Sequence, residues 1–154
     1  MVEPIRKSLV VDATRERAFR VFTEEHGTWW PLATHHIGTK AAETAVIEPR
    51  AGGRWFERAT DGTICLWGHV QVWEPPSRLV LLWQIASDWT YDDNFSTEIE
   101  VRFVTLGPAQ TKIEFEHRQL ERFGAKAAVQ RQSMDGGWGH LLELYKAKAR
   151  AISS

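Results

Sequence analysis

Between Glu43 and Leu120 the chain supplies one strand-like segment after another, with no helical pattern between them. The segments are "ETAVIEPR", "GGRWFERA", "TICLWGHVQVWE", "RLVLLWQIA", "STEIEVRFVTL" and "TKIEFEHRQL". Turn signals separate them at Ala51-Gly52-Gly53, Asp61-Gly62, Pro75-Pro76 and Gly107-Pro108. Parallel strands need long crossovers, so strands joined this closely pair antiparallel. In the last two, Ile99, Val101 and Phe103 share one side, as do Ile113, Phe115 and His117. Glu98, Glu100, Arg102, Lys112, Glu114 and Glu116 take the other, so one face is buried and one is wetted. In "TICLWGHVQVWE" the parities of Trp67 and of Leu66 both look buriable, which leaves its inward side open.

Such a sheet needs a cover. "IRKSLVVDA" reads as a first strand, and Asp12 or Thr14 can cap a following helix, "TRERAFRVFTEE". "HGTWWP" is expected to end that helix at Trp29-Trp30, because Gly27 and Pro31 interrupt helices. Residues 31–42 read as the longest loop. From Met134, the residues Trp138, Leu141, Leu142, Tyr145 and Ala149 recur at helical spacing, so an amphipathic helix runs at least to Ala149. Gly136, Gly137 and Gly139 each cost about 1 kcal/mol there relative to alanine. They predict close backbone approach or loosened first turns. The expected fold is α+β: a curved antiparallel sheet of about six to seven strands around a long C-terminal helix, with short helical structure after the first strand.

The bulk properties exclude several function classes. The 154 residues suit a single domain, 1–154. A net charge of -1 supplies no basic excess for nucleic acid. No apolar run approaches the ~18 residues of a membrane span, so no membrane insertion is expected. "MVEPIRKSLVVDATRERAF" lacks the pattern of a signal peptide, and one cysteine, Cys65, fits a reducing cytoplasm.

Specific blocks carry a family resemblance: "ERAFRVFT", "WWP", "EPRAGGRWFER", "WGHVQVWEPPSRLVLLW", "STEIEVRF", "TKIEFEHRQL" and "GGWGHLLELY". The chain resembles the SRPBCC superfamily, the START-like or birch-pollen-allergen-like helix-grip fold. Within it, the chain resembles the branch named for the activator of the heat-shock-protein-ninety ATPase. The resemblance implies a cavity between sheet and helix, used across the superfamily for lipid or hormone binding, polyketide cyclisation and oxygenase subunits. Fold alone does not choose among these uses.

Eight tryptophans form the compositional outlier. They fill a core or line an apolar cavity. Trp83 closes a central strand and Trp138 lies on the helix face turned to the sheet. Trp30, Trp55, Trp67, Phe103, Phe115 and Tyr145 complete the expected apolar walls. His117 shares the inward parity and is the expected polar contact, with His36 at the cavity mouth.

Adjacent histidines such as His35 and His36 point to opposite sides of an extended segment and rarely serve one metal, so no metal site is expected. "EPRAGGRW" lacks the spacing of a phosphate cradle; Arg50 or Arg54 can meet an acidic ligand group or, on the blander reading, form a surface ion pair, and no cofactor is expected. Glu57, Cys65 and Asp88 are single polar residues in or near strands; each is a candidate cavity acid or nucleophile, and Cys65 reads more readily as an inert buried thiol.

The leading expectation is a small lipophilic or aromatic ligand held between sheet and helix. One alternative is a cyclase- or hydrolase-like enzyme with His117 as general base. The other is a chaperone-activator-like interaction module, which predicts a large exposed patch on the outer sheet face. An open sheet edge is also compatible with a homodimer.

Overall fold

The computed structural model describes residues 2–150. The ends of the expected domain, Met1 and residues 151–154, lie outside the described residues. Strands β1 (Ile5–Val11), β2 (Ala42–Ile47), β3 (Arg54–Ala59), β4 (Ile64–Glu74), β5 (Arg78–Trp83), β6 (Thr97–Gly107) and β7 (Gln110–Arg118) form one sheet. Its order is β1-β7-β6-β5-β4-β3-β2, antiparallel at every junction. The inner face curls around the helices, and β1 and β2 are the open edges. Among the described residues, no helix is long and apolar enough to cross a membrane.

Helix α1 (Arg15–Thr23) starts where Thr14 accepts from the Arg17 amide, satisfying one of the unpaired N–H groups of the first turn. Phe19 and Phe22 turn inward. The expected run of this helix into Trp29-Trp30 is corrected: α1 is capped at Glu24, and Glu25 leaves the helical region at φ -101°, ψ 24°. His26–Trp29 then form a separate turn, α2, with Trp30 already extended. Gly27 does not break this turn. It lets α2 seat on β2, where a Cβ would come within 2.2 Å of the Thr44 hydroxyl.

Two register shifts settle the inward side of β4. One lies opposite Trp55-Phe56 and the other between Val70 and Val72. Each inserts a residue and so changes which parity faces in. Trp67, Gly68, Val70 and Trp73 therefore all reach the inner face, with Trp73 edge-on to Phe19 at 5.1 Å. Gly68 pairs with both Trp55 and Trp83. A Cβ there would lie 1.7 Å from the Leu82 carbonyl oxygen. The empty position lets the two flanking indoles close to 5.7 Å.

After β7, a 3₁₀ turn (Leu120–Lys126) leads into the long helix α3 (Ala127–Ala149). The helix begins ahead of Met134 and runs unbroken through its glycines. Met134, Trp138, Leu141, Leu142, Tyr145 and Ala149 are buried at the expected spacing. Close approach does not explain the glycines. A Cβ at Gly136 or Gly137 would meet nothing within 4 Å, and at Gly139 only the Lys7 ammonium at 3.9 Å.

Candidate functional site

Where α3 crosses the inner face of β4 and β5, a cavity of about 340 Å³ remains. Trp67, Trp83 and Ile85 border it on the sheet side, and Ser133, Met134, Gly137, Trp138 and Leu141 on the helix side. The segment after α2 contributes Trp30, Thr34, His35, His36 and Ile37, and Trp89 reaches the mouth from the β5–β6 connection.

Four indoles frame the space, and the N–H of each is used elsewhere. Trp30 donates to the His35 carbonyl at 2.8 Å, and Trp83 to the Ile85 carbonyl at 3.0 Å. Trp67 donates to Oε1 of Glu57 at 2.8 Å, and Trp138 to Nδ1 of His117 at 3.1 Å. With these donors occupied, the rings offer carbon and π faces to the cavity. They also brace one another. Trp30 lies 5.0 Å from Trp67 and 5.9 Å from Trp138, which lies 6.0 Å from Trp83.

Glu57 fastens the loop over this cage. It is 2% exposed, and a buried carboxylate is costly without partners. Its Oε1 accepts from the Ile37 amide at 2.6 Å as well as from Trp67, and its Oε2 accepts from the Gly38 amide at 3.2 Å. His36 stands beside it, with Nδ1 3.0 Å from the Gly38 carbonyl and 3.8 Å from Oε2 of Glu57. In the same loop, Nδ1 of His35 contacts the Thr34 hydroxyl at 2.8 Å, and its ring lies 6.2 Å from that of His140. Burial, then the neighbouring His140, lowers the His35 pKa.

Five of the ten expected site residues border the cavity: Trp30, His36, Trp67, Trp83 and Trp138. The other five belong to the surrounding core. Trp55 is fully buried, its N–H given to Nε2 of His26 at 3.2 Å. Phe103 packs on Phe19 at 5.1 Å, and Phe115 supports Trp138 from behind at 4.7 Å. Tyr145 donates to the Ala18 carbonyl at 2.7 Å. His117 points inward as its parity predicts, but it is sealed. Its Nε2 meets the Thr97 hydroxyl at 2.7 Å, its Nδ1 accepts from Trp138, and burial lowers its pKa from 6.5 to about 3. A ring with both nitrogens engaged and no cavity access has no lone pair for a substrate, which removes the role of general base from His117.

The remaining lining residues escape a reading by parity alone. Met134 and Leu141 share the helix face of Trp138 at three- and four-residue steps and were legible there, whereas Gly137, on the same face, has no side chain to mark it. Trp89 was not: it stands in a tight turn with φ +62°, 45% exposed and edge-on to Trp83 at 6.4 Å. Cys65 lies behind the loop beside Glu57, and burial, then that carboxylate, pushes its thiol pKa up, away from the reactive thiolate. Arg54 pairs in a two-pronged contact with Glu48 at 3.1 Å, a surface ion pair as expected. Among the described residues, no three of His, Cys, Asp and Glu gather as a metal-binding group.

A curled seven-stranded sheet gripping a C-terminal helix is the helix-grip architecture. The chain belongs to the family described as activator of Hsp90 ATPase homolog 1-like protein, whose model matches residues 12–147. Among solved structures, it is 37% identical to an anthrahydroquino-gamma-pyrone synthase, Txn09, over 95% of this chain and 96% of that one, with a TM-score of 0.67. It is 31% identical to CalC, a self-sacrificing resistance protein from Micromonospora echinospora, over 95% and 93%, with a TM-score of 0.72. An HSP90 activator from Plasmodium falciparum shares the fold at 15% identity over 75% and 71%, with a TM-score of 0.52. No curated protein matches the chain.

Proposed function

We propose that this protein binds a flat, fused-ring aromatic molecule in the cavity between the sheet and α3. The observation that carries the reading is the frame of four indoles whose N–H groups are all tied back into the protein. Such walls suit a π-faced guest and are already rigid, so little ordering is needed on binding. The volume, about 340 Å³, falls within the ~300–1,000 Å³ of small-molecule sites. Thr34, His35, His36 and Ser133 supply polar points for ring oxygens. Likeness to a synthase of a fused aromatic pyrone supports the same class of guest.

A chaperone contact is the competing reading, and the family's name is its motive. On the outer sheet face, Glu100 pairs with Arg78 at 2.6 Å, Arg102 at 2.9 Å and Arg118 at 2.7 Å. Charges neutralised by their own neighbours offer a partner little electrostatic guidance, which favours the cavity.

Tryptophan fluorescence titration with anthraquinone tests the reading. Saturable quenching in the wild type, lost in Trp138→Ala and in the cavity-filling Gly137→Leu, is the expected result. Equal quenching in Gly137→Leu, or none in the wild type with a panel of polycyclic quinones, overturns it.

A further inference from the structure

We propose that His36 is a general base for molecules held in this cavity, with Glu57 as its positioning residue. The inference rests on the cavity reading above. Nδ1 of His36 lies 3.0 Å from the Gly38 carbonyl, which only accepts, so Nδ1 carries the proton. The neutral ring then has its lone pair on Nε2, which is left without a hydrogen-bond partner among the described residues. The ring borders the cavity and keeps 28% of its side chain exposed. Behind Nδ1, at 3.8 Å, stands Oε2 of Glu57, itself fixed by two amides and an indole. The backbone oxygen sets the tautomer and orients the ring, and the carboxylate fixed close behind Nδ1 is placed to stabilise the ring once it has taken a proton.

No other histidine near the cage combines these features. His26 and His117 each engage both nitrogens and are buried. His35 contacts a hydroxyl, which fixes no tautomer, and faces His140 rather than a carboxylate. The titratable groups around His36 are Glu57 on β3, Cys65 on β4 and His35 in the same loop, with His140 on α3 behind His35.

The step it performs needs no co-reactant. An acidic C–H beside a carbonyl, or a phenolic O–H, gives its proton to Nε2. The electron pair stays on the substrate as enolate or phenolate. The Nε2 proton then returns to a different substrate atom, which completes an isomerisation or an internal ring closure.

A flat probe, nitrobenzisoxazole, isolates the first half of this step. A base takes its ring C–H proton, that bonding pair completes a nitrile, and the N–O bond breaks to release a coloured phenolate. Binding is read separately by tryptophan quenching. Saturable turnover is expected, falling roughly 100-fold in His36→Gln. Glu57→Gln is expected to lower kcat more than it weakens quenching, because the protonated ring formed in the step loses its neighbouring anion. His140→Gln is expected to leave the rate unchanged.

Quenching without turnover above that of free imidazole, or full turnover in His36→Gln, overturns the proposal and leaves the binding reading standing. Absent quenching counts against the binding reading instead. In that case the His36 tautomer decides, measured in the unsubstituted protein by long-range proton–nitrogen NMR. Protonation on Nδ1 with a free Nε2 upholds the proposal, and a proton on Nε2 of the neutral ring overturns it.

Discussion

The indole of Trp138 donates to Nδ1 of His117 at 3.1 Å, so the proton of that imidazole sits on Nε2, facing the Thr97 hydroxyl at 2.7 Å. Trp55 and His26 repeat the relationship in the opposite tautomer. Trp55 donates to Nε2 at 3.2 Å, and Nδ1 donates to the Phe22 carbonyl at 3.2 Å. Both rings are held neutral, because burial lowers their pKa values from 6.5 to about 3. In the unfolded chain each takes up a proton below about pH 6.5. Between that value and about 3 the unfolded state binds more protons, so stability is full above the upper value and is lost as pH falls toward the lower one.

Each ring contributes a slope of about 1.4 kcal/mol per pH unit across this window. The urea midpoint is therefore expected to drop steeply between about pH 6 and about pH 4. His117→Asn is expected to be less stable near neutrality yet to show a shallower acid slope. A wild-type midpoint that stays flat through this range would contradict neutral burial of both rings.

Glu57 is the clasp between loop and sheet. Glu57→Gln replaces an oxygen that accepts from backbone N–H with an amide that donates, and hydrogen bonds to charged groups are worth about 1.5–3 kcal/mol. The expected loss is about 2–3 kcal/mol of stability. Amide exchange should quicken at Ile37 and Gly38, whose N–H groups it holds, before it quickens at core positions such as Ile99. Uniform acceleration across the chain would mean that Glu57 supports the whole core rather than the loop.

Trp89 sits in the left-handed region at φ +62°, which costs a non-glycine residue about 1–2 kcal/mol. Asp88 holds the turn by accepting from the Thr90 amide at 3.1 Å and hydroxyl at 2.6 Å. A large, exposed indole kept in a strained conformation at a cavity mouth serves packing poorly. Trp89→Gly is expected to leave thermal stability unchanged or slightly raised, while anthraquinone quenching weakens severalfold. Calorimetry and the titration together check it, and a marked fall in melting temperature would assign Trp89 to the core.

Much of this architecture was legible along the chain because the strands alternate and few helices compete. Ile99, Val101 and Phe103 all lie on the inner face their parity predicts, and Thr14 caps α1 as one of two expected residues. The misreadings share a physical origin. Parity finds the inner face of a sheet, but it does not separate residues under the helix from residues facing a gap. Phe103, Phe115 and His117 are therefore inward without touching the cavity. The two bulges in β4 defeat any parity argument for Trp67 and Trp73. The clasp role of Glu57, as distinct from that of a candidate cavity acid, was not legible because its three donors come from remote parts of the chain, Ile37, Gly38 and Trp67.

The helix glycines separate stability from function. At Gly136 and Gly137 an added Cβ meets nothing within 4 Å, so alanine at either should stabilise α3 by about 1 kcal/mol through reduced backbone freedom in the unfolded chain. Only Gly137 borders the cavity. Gly136→Ala and Gly137→Ala are thus expected to raise the melting temperature alike, whereas aromatic binding weakens only in Gly137→Ala and disappears in Gly137→Leu. Chemical denaturation and quenching on the same samples check both halves. If both alanine variants are stabilised and bind equally, and Gly137→Leu binds as well, the aromatic guest does not occupy this cavity.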